Sequence, residues 1–322
     1  MSQYKKEWYD RFIEILYKKY PRKQDLVQVL INVLEIEREA VYRRLRYEVP
    51  FTLHEIAILA SSWDFSLDDI ININADTISF QMRKMNFINP NEEEMNYLHK
   101  VVKGIDYAKD FPSTEFMDVC NKLPRQILAG FDYLNQYYLF KWLFQYGKKR
   151  DVTPFSKVVI SAEKAALTKQ YAQAVKLVPK SSFIFDSMLF NYLVSDIQYF
   201  NSIQMITDKE KKLIKQDLMD LLKYLKEIAH MGCYPETQNT VSLFISHLHI
   251  DTNYNYVFTP DINICFVHVF DKLKLHTYNE EMAAYFRTWM QIKKRSSMQI
   301  SEVDERNRIE YFSKQWALIE SL

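Results

Sequence analysis

From Arg38 to Arg46 the chain reads Arg-Glu-Ala-Val-Tyr-Arg-Arg-Leu-Arg, which places four guanidinium groups beside one carboxylate and one phenol. Arginine at this density suits bidentate recognition of phosphate or of the O6/N7 edge of guanine. Glu39 and Arg43 are four apart, so on a helix they can also pair with each other. A second group of reactive types lies later. His247 and His249 are two apart on an expected strand and share a face, with Cys265 and His268 on a nearby one. These are metal-ligating types, but the spacing offers neither a clear third ligand nor an accompanying carboxylate pattern. Ser296, Ser297 and Ser301 follow Lys293-Lys294-Arg295, a run that either binds an anion or ends a helix. No nucleophile, base and orienting group can be assembled. The expectation is therefore no catalytic residue, no metal, no cofactor and no enzyme.

Composition narrows the field further. Only four glycines occur, at 104, 130, 147 and 232, too scattered for a phosphate-cradling loop, a dinucleotide fingerprint or a nucleophile elbow. Lys and Arg number 42 against 41 Asp and Glu, so any nucleic-acid contact must be local. The three cysteines form no Cys-x-x-Cys pair, which argues against a zinc ribbon or a disulfide framework. The start, MSQYKKEWYDRF, lacks an apolar signal region. The most apolar window, 183–200, is interrupted by Asp186 and Asp196 and reads as a buried helix, not a membrane span. A cytoplasmic protein without membrane contact is expected.

The elements that must position the arginines come early. Trp8 to Tyr20 reads as a helix ended by Pro21. Leu26, Val29, Leu30 and Val33 form an apolar stripe, a turn follows at 34–37, and Val41 with Leu45 resumes the stripe. Thr52 with Glu55, and Ser66 with Asp69, are capping-box signals. Two helices joined by so short a turn, the second carrying Tyr42-Arg43-Arg44-Leu45-Arg46, suggest a helix-turn-helix.

This stretch resembles the lambda-repressor-like (Cro and XRE type) DNA-binding domain. The matching residues are Leu30-Ile31, Leu34, Ile36, Ala40-Val41, Pro50-Phe51-Thr52-Leu53-His54-Glu55 and Phe65-Ser66-Leu67-Asp68. The resemblance implies a five-helix domain over residues 1–75 whose second helix-turn-helix element, about 37–46, enters the major groove of double-stranded DNA. On that pattern Arg38, Glu39, Tyr42 and Arg43 face the groove, while Ala40, Val41 and Leu45 face the core. Arg43 would pair with guanine, and Arg38 would do the same or hold phosphate. Lys23, Arg44 and Arg46 would hold phosphates. Two departures stand out: Glu35 occupies the turn position usually held by glycine, and Glu37 and Glu39 sit where many relatives carry Ser, Thr or Gln. A carboxylate there repels phosphate but can accept from cytosine N4.

Beyond residue 75 the expectation is a linker and connecting helix over 76–112. That helix is opened by Pro90-Asn91 with Glu92, Glu93 and Glu94 in its first turn. Residues 114–231 read as helical nearly throughout, including the aromatic run Gln136–Tyr146 and the amphipathic stretch Asp208–Ile228. Strands are expected at 240–250, 254–259 and 262–269, forming a small antiparallel sheet, with helices at 280–293 and 307–320 closing the chain. The stretches Tyr137–Gln145 and Trp289–Gln315 are also similar to long bacterial regulators that join this DNA-binding domain to a helical and α+β region. The expected fold is thus mainly α: a helix-turn-helix domain, a helical middle and a C-terminal α+β portion. The whole of 113–322 would serve sensing or dimerisation, with room for an unidentified effector. The function expected is a homodimeric, DNA-binding transcriptional regulator. The alternative is a protein-interaction scaffold in which the helical bundle is purely structural.

Overall fold

A computed structural model describes residues 4–63, 65, 67, 70, 78–83, 85–86, 90–146, 153–260, 263–270 and 272–322. The chain divides into two compact units, 1–79 and 80–322. Among the described residues no helix is long and apolar enough to cross a membrane.

The first unit contains α1 (Tyr4–Lys19), α2 (Lys23–Leu34), α3 (Arg38–Leu45) and α4 (Leu53–Trp63). Its core takes Phe12 and Leu16 from α1, Leu26, Val27 and Leu30 from α2, and Val41 and Leu45 from α3. Ile56, Leu59 and Trp63 of α4 close it, and Phe51 sits edge-on to Phe12 with ring centroids 5.2 Å apart. The expected five-helix count is corrected here, because the described residues of this unit form four helical elements of known bounds. The fifth rested on Ser66 and Asp69, which lie outside the described residues.

The second unit overturns the mainly helical expectation. It is built on a mixed eight-stranded sheet in the order β1-β7-β6-β5-β2-β3-β4-β8. The strands are β1 (Gln81–Met82), β2 (Glu115–Cys120), β3 (Lys180–Asp186), β4 (Thr240–Ser246), β5 (Tyr254–Phe258), β6 (Asn263–Val269), β7 (Leu273–Thr277) and β8 (Met298–Gln299). β2, β3 and β4 run parallel. β5, β6 and β7 form the antiparallel meander, whereas β4 joins the parallel set instead of that meander. Of the strand ends expected from sequence, Ile262 lies outside the described residues.

Helices α5 (Glu92–Ala108), α6 (Arg125–Leu128), α7 (Asp132–Tyr146) and α8 (Ala162–Lys176) accompany the crossover from β2 to β3 or precede it. α9 (Leu189–Ser202) and α10 (Asp208–Met231) connect β3 to β4, and α11 (Glu280–Arg295) and α12 (Glu305–Glu320) follow the sheet. Alternation along each strand divides the core into two layers. Phe116, Phe183, Phe185 and Ile245 join the aromatic side chains Tyr137 and Phe140 of α7 and the leucines of α10. Met117, Ile184, Phe244 and Tyr256 face the other way onto Ala283, Phe286 and Met290 of α11. Helices on both faces bury β2 completely and all of β3 but its first residue.

Candidate functional site

Three residues carry α2 into α3. Glu35 takes the left-handed conformation at φ 53°, ψ 39°, and its amide donates to the Ile31 carbonyl. Glu37, extended at φ −68° and ψ 151°, begins α3. Left-handed backbone favours glycine, since a Cβ there crowds the following carbonyl. Glu35→Gly is therefore expected to stabilise this unit by about 0.5–1 kcal/mol, after the glycine's extra freedom in the unfolded chain is counted. Slower amide exchange in α2 and α3 would bear this out. Faster exchange would mean that the Glu35 side chain holds the turn.

Val41 and Leu45 anchor α3 in the core, which turns Arg38, Glu39, Arg43 and Arg46 outward to solvent. Tyr42 is half-buried, and the Lys23 Nζ from the first turn of α2 lies 5.6 Å from its ring centroid. Arg38 Nη2 donates to Gln28 Oε1 at 3.4 Å. Arg46 spans two acceptors, Glu39 Oε1 and Glu48 Oε1, both at 2.8 Å. Arg43 Nε stands 3.7 Å from Glu48 Oε2. The sequence-level alternative of a Glu39–Arg43 pair is not formed, because each finds its partner beyond the end of the helix. Such exposed pairs are screened and exchange readily with other ions.

Arg44 differs from its neighbours. Its Nε and Nη2 donate to Glu55 Oε2 and Oε1 at 3.1 and 2.6 Å, and its Nη1 donates to the Ala40 carbonyl at 3.1 Å. Glu55 also accepts from the Thr52 amide at 2.8 Å, while Thr52 Oγ1 accepts from the Glu55 amide at 3.2 Å. The capping box thus holds a carboxylate that simultaneously braces α3 against α4. Burial acts to raise the Glu55 carboxyl, but the Arg44 guanidinium and the Thr52 amide outweigh it and hold the group below its usual range. Tyr9 Oη accepts from the Phe51 amide at 3.0 Å behind this brace. Thr52→Ala removes one cap bond and is expected to cost about 1 kcal/mol, measurable as an earlier denaturant midpoint for the α4 signal.

The later candidates do not converge. His268 Nε2 is 2.6 Å from Asn255 Oδ1. Cys265 is buried in the opposite layer, facing α11. His249 Nδ1 is 3.4 Å from Asp186 Oδ2, and His247 lines a separate cavity with Asn191 and Gln315. Ser296 and Ser297 donate to the Lys293 carbonyl, closing α11, and Ser301 Oγ accepts from the Leu243 amide.

One arrangement escaped sequence reasoning. At the end of β2 lies a cavity of about 530 Å³ lined by Lys122, Arg125, Lys164, Lys272 and Lys274, with Asp118 and His268. These residues are scattered from 118 to 274 and share no motif. Only the strand register unites them, opposing Asp118 to Asn255 and His268 to Lys274. Arg125 and Lys164 stand on helices and Lys274 on a strand, so no local pattern in the sequence marks them.

No protein-family profile, curated protein or solved structure matches the chain.

Proposed function

We propose that the chain binds double-stranded DNA through α3 and acts as a transcriptional regulator. The observation that supports this reading best is the pairing of α2 and α3 across a left-handed turn, with Val41 and Leu45 buried, Tyr42 half-buried, and Arg38 and Arg43 turned outward. Arg38 and Arg43 are the base-reading groups, since no buried carboxylate holds either guanidinium. Lys23 and Arg46 hold phosphates, and Glu39, once released from Arg46, accepts from a cytosine amine. Arg44 is excluded from the contact set because Glu55 holds it. One short helix reads few base pairs, so two copies of the chain on adjacent half-sites complete the specificity.

The salt dependence of duplex binding by the full chain tests this. Displacement of condensed counterions makes log K fall linearly with log salt, by about 0.9 per neutralised phosphate on B-form DNA. The reading predicts a slope of several phosphates. A flat response would favour the scaffold alternative, which the carboxylates Glu37, Glu39 and Glu48 around the arginines would then explain.

A further inference from the structure

β2 is the strand at which the sheet changes direction, parallel to β3 on one side and antiparallel to β5 on the other. The chain leaves the carboxyl end of β2 into α6, and it reaches β5 only after crossing to β4 on the far side. Open α/β sheets hold ligands outside the carboxyl ends of strands where the strand order reverses, and from β2 the order runs to β3 and β4 on one side and to β5, β6 and β7 on the other. The cavity of about 530 Å³ lies at this point, and its size suits a small molecule.

Its polar floor is a row across neighbouring strands. Asn255 Oδ1 receives Lys274 Nζ at 3.4 Å and lies 2.6 Å from His268 Nε2. Burial, reinforced by the charges of Lys274, Arg125 and Lys122, lowers the His268 pKa and keeps its ring neutral. Asp118, the innermost carboxyl, accepts from Cys120 Sγ and Gln126 Nε2, each at 2.9 Å. Asp132 and Asp196 are matched by Lys169 and Lys141. Arg125 has neither a hydrogen-bond acceptor nor an ion-pair partner among the described residues for its guanidinium. Its charge nonetheless acts on Lys164, Lys272 and Lys274 together. Burial first, and Arg125 second, push Lys164 and Lys274 down to about 8 and lower Lys272 in the same sense. Arg125 and Lys274, brought together in this way, repel each other, a cost that an anionic ligand removes.

We propose that this cavity binds a phosphate-bearing organic small molecule, with the phosphate among Arg125, Lys164, Lys272 and Lys274. The organic part lies along the apolar wall of Leu128, Leu139, Val158 and Ile160. A carboxylate offsets one charge, whereas a phosphate ester brings close to two and three acceptor oxygens, which suits a cavity lined by several cations. This site is independent of duplex binding by α3, so either reading can fail without the other.

The test is titration calorimetry and thermal melting of the full chain with pyrophosphate, using citrate as a carboxylate polyanion. Pyrophosphate is expected to bind and to raise the melting temperature, with citrate at least about tenfold weaker. Arg125→Met and Lys274→Met are each expected to weaken pyrophosphate by about tenfold or more. Each variant should also melt higher than the wild type without ligand, because one repelling charge has gone. A purely structural role moves that second readout the other way, since the variants would melt lower. Absence of pyrophosphate binding, equal binding of citrate, or unchanged affinity in both variants overturns the proposal.

Discussion

Glu55→Ala is expected to destabilise the N-terminal unit by about 3–5 kcal/mol, a large part of the stability of any small unit. The side chains of Glu55 and Arg44 are only 11% and 14% exposed, so removing the carboxylate strands a guanidinium with little access to water. The Thr52 amide loses its acceptor as well. Replacing both partners, Arg44→Met with Glu55→Leu, should be much milder, because no charge is then left buried. Hydrogen exchange over residues 38–63 in the full chain separates the cases. The single variant should exchange far faster than wild type and the double variant only modestly so. Equal acceleration in both would show that the ion pair is not what holds α3 to α4.

The same pair fixes an acid dependence. The Glu55 carboxyl is held below its usual range in the folded state, so its contribution is fully present above the unfolded value of about 4.3. It is lost as pH falls through the depressed folded value. The first unit should therefore loosen below about pH 4, and Glu55→Gln should lack that part of the transition.

The second large effect concerns recognition. Arg43→Ala is expected to lose about 1–3 kcal/mol of discrimination at one base pair, roughly five- to 150-fold, with duplexes altered there binding as well as the preferred one. Lys23→Ala should weaken every duplex alike and reduce the salt slope by about one, because its ammonium meets phosphate and not a base edge. Arg44→Ala gives a third pattern, weakening binding only so far as α3 loses its support. Competition assays with single-base-pair variants distinguish these outcomes. A uniform loss in Arg43→Ala would place that side chain on the backbone instead.

How much of this could be read from the residues depends on range. The turn at Glu35 and the Thr52–Glu55 cap are local, and the structure places both at the expected residues. The same cap's hold on Arg44 spans eleven positions and a turn, and nothing in the sequence separates Arg44 from Arg43 or Arg46 as the inward one. β2 and β3 were missed for a different reason. Glu115–Cys120 is buried on both faces, as is nearly all of Lys180–Asp186, which leaves no polar alternation and makes a short apolar run look like buried helix. The strands at 254–258 and 263–269 were found because their partly exposed residues interrupt the apolar pattern. The cationic cavity was beyond reach, because Arg125, Lys164 and Lys274 each read as an ordinary solvated charge until the sheet brings them together.

Selection of bound duplexes from a random pool by the purified full chain tests the central claim most directly. Binding through α3 predicts enrichment of a short sequence containing a guanine that Arg43→Ala no longer selects, repeated with two-fold symmetry about one helical turn apart. Recovery of a pool no different from the input, at moderate salt where nonspecific contacts are suppressed, would contradict it.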